Sequence, residues 1–170
     1  MSTTISYEDA IDLLDADHKL AQKMFLDYQA LCDDGAPAEV KQQLALKICQ
    51  DLSVHTQLEE EIFYPLVRAA IHDDSLMHEA LDEHAEAKEA IARIQGMKPS
   101  DAGYDEEVIE LGMTILDHVM VEREQIFLKA RYSTADLRGM VPDLYARKKK
   151  LQGHTPAPGL PARKRKKVMS

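Results

Sequence analysis

A histidine and a glutamate four residues apart, His55 and Glu59, recur at the same spacing some sixty residues later as His118 and Glu122. Both pairs fall within amphipathic segments. On a helix, positions i and i+4 share a face with Cβ atoms about 5–6 Å apart, so each pair can grip one ion or two neighbouring ions. Two such grips point to a metal site inside a helical bundle.

The rest of the chain supplies the helices. Aromatic residues make up 5% of 170 residues and there is no Trp, whereas Ala, Leu, Glu, Asp, Lys and Met abound; this composition favours an all-α fold. Residues 7–32 carry a heptad stripe, Ile11, Leu14, His18, Ala21, Phe25, Tyr28 and Cys32, with Ser6 as the expected N-cap. A second helix opens at Pro37 and lines up Leu44, Ile48, Leu52, His55, Glu59, Ile62 and Leu66. Glu60 and Glu61 fall off that line and read as solvated, and Pro65 is expected to end or kink the helix near Tyr64, although Leu66, Val67, Ala69, Ala70 and Ile71 suggest another turn or so beyond it. A third helix, from about Ser75 to Ile94, presents Met77, Leu81, His84, Ala87 or Lys88, Ile91 and Ile94. His72 and His78 read as surface or capping residues. The fourth, about Asp105 to Arg131, presents Val108, Leu111, Ile115, His118, Glu122 and Gln125 or Ile126. Ser133 and Thr134 can cap a short segment, Ala135 to Met140, ahead of Pro142. Helical character then resumes through Leu151 with an all-polar, basic face.

Four helices of similar length with short connections most simply form an up-down-up-down bundle. The expected organisation is a bundle over residues 1–132, a helical extension over 133–152 and a disordered basic tail over 153–170. Antiparallel neighbours bring His18, His55, His84 and His118, each halfway along its stripe, to one level of the core. Glu59 and Glu122 lie one turn further along. A buried carboxylate costs several kcal/mol unless compensated, against a domain stability of about 5–15 kcal/mol. Either the histidines and glutamates pair with each other in a metal-free polar core, or cations sit between them. Four imidazoles and two bridging carboxylates suit two borderline divalent ions, and mixed nitrogen and oxygen ligation with open positions puts iron ahead of manganese or zinc.

These residues carry a resemblance. Asp17-His18, His55-x-x-x-Glu59 followed by Glu-Ile-Phe-Tyr-Pro, Glu83-His84, and His118-x-x-x-Glu122 followed by Arg-Glu-Gln-Ile-Phe resemble the hemerythrin-like proteins of the HHE cation-binding class, over about residues 7–131. The resemblance implies a four-helix bundle around a non-haem di-iron centre. It implies that His18 and His55 bind one iron and His84 and His118 the other, with Glu59 and Glu122 bridging. It also implies dioxygen or another small oxidant as ligand, with peroxide or nitric oxide chemistry as the alternative. Oxygen carriers of the family have a second histidine on the third helix, four residues from the first; those positions are Ala80 and Lys88 here. One iron therefore lacks a nitrogen ligand, and the chain looks closer to hemerythrin-like iron or redox sensors. Lys88 either hydrogen-bonds a bound anion or turns outward, the commoner behaviour of such a lysine.

Charge and cysteine usage bound the remaining possibilities. The formal net charge of −9 is uneven: from Arg147 onward there are nine Lys/Arg and no Asp/Glu, leaving twelve basic against thirty acidic residues before it. An acidic body gives no attraction for nucleic acid or an anionic membrane, so contact with a nucleic acid or an acidic protein is expected only through the tail. Cys32 and Cys49 form no CxxC pattern and read as reduced core thiols, and neither a leader nor a membrane span is evident, which together suit a cytoplasmic protein. No nucleophile dyad, Gly-rich phosphate loop or nucleotide motif occurs. Any chemistry must come from the metal, and a metal- and oxygen-binding protein is favoured over an enzyme.

Overall fold

The computed structural model describes residues 7–154; the expected tail, apart from the two residues that end the last helix, lies outside them. All regular structure in this range is helical. Helix α1 spans Ala10–Asp33. Helix α2 runs continuously over 38–71, α3 over Asp74–Gly96, α4 over 104–131 and α5 over Val141–His154.

The first start differs from the expected one. Asp9 is the N-cap of α1, accepting a hydrogen bond from the Asp12 amide at 3.0 Å, and the Ala10 amide donates to the Leu137 carbonyl at 2.8 Å. Ser6 lies outside the described residues. Helix α3 is capped in the same way by Asp73, whose carboxylate accepts from the Leu76 amide. These caps satisfy amides that the first turn cannot pair internally.

The buried side chains fall into two apolar plugs. One joins the N-terminal half of α1 (Leu13, Leu14), the C-terminal half of α2 (Leu58, Phe63, Val67), the start of α3 (Met77) and the end of α4 (Ile126, Phe127). The other joins the opposite halves: Met24 and Tyr28, Ile48 and Leu52, Ile91 and Ile94, Val108 and Leu111. Only antiparallel neighbours can pair the halves this way, so the four helices run up-down-up-down. Between the plugs lie four buried histidines and two buried glutamates.

Two features depart from the expected pattern. Pro65 does not end α2. A π-helical turn, Glu59–Phe63, precedes it, with the Tyr64 amide bonded back to the Glu59 carbonyl, and the helix continues to Ile71. A second π turn, Glu122–Phe127, occupies the corresponding place in α4. Since α4 has no proline there, the shared element is the buried glutamate that opens each turn. A π turn adds a residue and rotates everything beyond it. Past Glu59 the buried line therefore passes through Phe63, Tyr64 and Val67, leaving Leu66 exposed instead of seated on the seam. Past Glu122 it passes through Ile126, Phe127 and Ala130, with Gln125 in solvent.

The second departure is α5. Residues 135–140 form no helix, with a turn over 137–140, and Pro142 sits in the first turn of α5, where its missing N–H costs nothing. The face of α5 is not wholly polar: Met140 and Leu144 are buried in the first plug and Leu151 packs against it. Arg147 adds a bidentate ion pair to Glu61 of α2, both contacts 3.0 Å. Glu61 is thus committed to α5. Deleting most of a fully buried leucine removes about 2–5 kcal/mol, so Leu144→Ala should lower the stability of the full chain by that amount in denaturant unfolding. A change of only a few tenths would mean that α5 does not dock.

Candidate metal centre

Each of the four helices delivers one histidine to the layer between the plugs, and the imidazoles meet in pairs. His18 Nε2 lies 3.1 Å from His55 Nε2, and His84 Nε2 lies 3.1 Å from His118 Nε2. Glu59 and Glu122 sit between the pairs, neither exposing any surface. Glu59 Oε1 is 3.3 Å from His55 Nε2 and 3.1 Å from His84 Nε2. Glu122 Oε1 is 2.9 Å from His18 Nε2, while its Oε2 is 3.6 Å from His118 Nε2. Ligand atoms of His18, His55, Glu59 and Glu122 all lie within 4.8 Å of one another, as do those of Glu59, His84, His118 and Glu122. All six predicted site residues are brought together, and both glutamates belong to both groups.

The outward nitrogen of every ring meets a carboxylate. Nδ1 of His18 contacts Asp15 at 3.3 Å, that of His55 contacts Asp17 at 3.0 Å, that of His84 contacts Glu60 at 2.8 Å and that of His118 contacts Glu83 at 2.7 Å. An ionised carboxylate can only accept, so each Nδ1 carries the proton and donates it. Each Nε2 of a neutral ring then aims a lone pair at its partner's. Two lone pairs 3.1 Å apart repel unless positive charge lies between them. The carboxylates tell the same story: Glu59 Oε2 and Glu122 Oε1 are buried and accept no hydrogen bond. The 2.9 Å approach of Glu122 Oε1 to His18 Nε2 is a contact without donor geometry. Buried acceptors are rarely left unpaired. Donor type, orientation and orphaned oxygens all fit cations at these two places, and carboxylate-backed imidazoles are the usual way in which a protein orients histidines toward a metal.

Protons supply that charge when a metal does not. Burial alone would depress the His118 pKa, but Glu122, Glu59 and Glu83 outweigh it and raise it from 6.5 to about 9. Burial also opposes charge on His55, yet Glu59 and Asp17 push its pKa well above the ordinary value. Burial tends to raise the Glu122 pKa, and His118 and His18 more than reverse this, holding it well below the usual carboxylate range.

Several residues around the centre escaped sequence reasoning. Glu60, expected in solvent, is turned in to His84 and also accepts from Lys88 at 2.8 Å. Lys88 itself is half-exposed and points outward, holding Glu60 in place. Asp17 and Glu83, each just before a site histidine, serve the histidine of the neighbouring helix. Those two dipeptides were the visible signal. Tyr64 was hidden by the π turn. Its hydroxyl donates to Glu122 Oε2 and lies 3.4 Å from Glu59 Oε1, 3.3 Å from His84 Nε2 and 3.4 Å from His118 Nε2. At the matching position of α4 stands Phe127, five residues past Glu122 as Tyr64 is five past Glu59. Tyr64 stacks on His84 and Phe127 on His18, at centroid distances of 5.2 and 5.7 Å. One half of the centre therefore has a phenol beside it and the other a bare ring.

On the side of the histidines away from these rings is a cavity of about 50 Å³, lined by all four histidines and mainly apolar groups such as Ala21, Leu52, Ala87 and Val119. A water molecule's share of liquid volume is about 30 Å³. The space has room for water or a small ligand.

The sequence model of the hemerythrin HHE cation binding domain matches residues 9–130. This chain belongs to the hemerythrin HHE cation-binding family. Among solved structures, a hemerythrin HHE cation binding domain-containing protein of Mycobacterium kansasii superposes with a TM-score of 0.70 at 18% identity, over 85% of this chain and 88% of that one. A Nostoc protein described as a DNA nickase is 27% identical over 143 residues, 83% of this chain but 39% of its own length. The chain thus spans about two-fifths of that relative. Among the described residues no helix is long and apolar enough to cross a membrane.

The raised histidines fix a pH dependence for the metal-free chain. A group whose folded pKa is raised contributes stability that is complete below its unfolded value and lost as pH climbs through the folded one. The His118 contribution should therefore be complete below pH 6.5 and disappear as pH passes about 9. The lowered Glu122 contributes above 4.5 and is lost on acidification. Denaturant unfolding of metal-free protein between pH 5 and 10 should show stability falling on the alkaline side, and metal uptake at neutral pH should release protons. A flat alkaline limb without proton release would contradict the charge assignment.

Proposed function

We propose that this protein is a non-haem di-iron protein that binds or senses dioxygen, iron or another small oxidant. The observation that carries this is the sharing of two buried, hydrogen-bond-deficient glutamates by two pairs of inward-facing imidazoles. In this reading His18 and His55 hold one ion, His84 and His118 hold the other, and Glu59 and Glu122 bridge. The two nitrogens of each pair stand 3.1 Å apart, close enough for one ion to take both. Two nitrogens and shared carboxylates leave positions open on each ion, which suits iron better than a closed zinc site.

Bound iron would supply Lewis-acid and one-electron redox chemistry. The chain's own part is separate. The outer carboxylates fix the rings, the plugs above and below shelter the layer, and the mainly apolar cavity gives a small ligand a place beside the histidines. Tyr64 donates to Glu122 and places a hydroxyl beside the His84–His118 half, the half that lacks the third-helix histidine found in carriers. That difference favours sensing or redox chemistry over reversible carriage. Cys32 and Cys49 are unpaired thiols, in keeping with a reducing compartment, and we assign the protein to the cytoplasm on that ground.

Anaerobic loading of metal-free protein with ferrous iron should give about two irons per chain, with absorption bands that change on exposure to air. A His18→Ala, His118→Ala variant should lose most of that iron. Equal iron content in the variant would end the proposal. Peroxide separates binding from catalysis: stoichiometric bleaching is expected, whereas sustained turnover would make the protein an enzyme.

A further inference from the structure

Three of the four outer carboxylates are tied in turn to a cation. Glu60 bonds Lys88 at 2.8 Å, Asp15 meets Arg123 at 3.2 Å, and Asp17 bonds Lys148 at 2.6 Å. Lys88 stands one turn past His84 on α3, and Arg123 stands next to Glu122 on α4. Lys148 differs in origin, because it comes from α5, outside the four-helix bundle. It reaches back across 131 positions of sequence to the carboxylate that orients His55.

The contact is built rather than incidental. Leu144 anchors α5 in the first plug, with Leu151 packed against it, so Lys148 is delivered to Asp17 by a docked helix; Arg147 makes a separate contact with Glu61. The two partners are largely sheltered, with side-chain exposures of 22% for Lys148 and 13% for Asp17. Lys148 and Gln152 also line the mouth of the cavity beside the histidines. A carboxylate tethered on its far side keeps one orientation toward the imidazole it faces. An untethered one swings, and the ring swings with it.

We infer that Lys148 is a positioning residue for the His18–His55 half of the centre, so that α5 governs one of the two metal positions and not the other. This rests on the di-iron reading for its metal consequences, but the orientation it asserts belongs to the metal-free chain as well. The alternative is an ion pair that merely helps to dock α5. Arg147 does that without touching Asp17, so it serves as the control.

The experiment uses the full chain as wild type, Lys148→Met, Lys148→Arg and Arg147→Ala. Stepwise ferrous or cobalt affinities are measured anaerobically. Lys148→Met should weaken one of the two binding steps about tenfold or more and leave the other unchanged. Lys148→Arg should restore it, and Arg147→Ala should leave both steps as they were. Equal weakening of both steps, no weakening, or the same pattern from Arg147→Ala would overturn the inference. A second measurement needs no metal: acylation of the metal-free chain with diethyl pyrocarbonate, read histidine by histidine by mass spectrometry. The exposed His72 and His78 serve as internal references. Lys148→Met should raise the ratio of His55 to His118 modification, and an unchanged ratio would overturn the inference. A wild type that takes up no metal would sink the di-iron reading alone, and the lysine would then stand or fall on that ratio.

Discussion

Four imidazole lone pairs and two carboxylates directed at one another inside a low-dielectric core require positive charge among them. Without it the layer would be a column of mutually repelling acceptors between two apolar plugs, an arrangement that costs more than a domain of this size can sustain. The remainder of the architecture follows from that demand. Nδ1–H donation to Asp15, Asp17, Glu60 and Glu83 settles which nitrogen faces inward. The π turns that open at Glu59 and Glu122 rotate the helix beyond each carboxylate so that an aromatic ring, Tyr64 or Phe127, stacks on a site histidine.

Much of this could be read from the residues. A histidine halfway along the apolar stripe of each of the four bundle helices is an improbable pattern for a featureless core, and it indicates both the antiparallel bundle and the level at which six polar side chains converge. What could not be read has a physical cause in each case. A π turn leaves no mark on a 3.6-residue periodicity, so the pattern continues the stripe beyond Glu59 through Ile62 and Leu66, whereas the buried line runs through Phe63, Tyr64 and Val67. Tyr64 was lost by the same slip of register. Glu60 looked like a solvated residue because its partners, His84 and Lys88, stand on a different helix. The short apolar contact of α5, Met140 and Leu144, is too brief to give a period, and its basic residues suggested a face turned wholly to solvent.

The two halves of the centre are alike in donor set and unlike in surroundings. Tyr64 lies beside His84 and His118 with a hydroxyl to offer; Phe127 covers His18 with none. Lys148 reaches only the His55 side. Two helix pairs that supply the same donors are thus made unlike by one hydroxyl and one distant lysine.

The most direct test of the central claim is a crystal structure of the iron-loaded chain recorded with anomalous data at the iron edge. The account predicts two peaks about 3.5–4 Å apart, one between His18 and His55 and one between His84 and His118, with Glu59 and Glu122 reaching both. A single peak, or iron bound only at the surface, would contradict it.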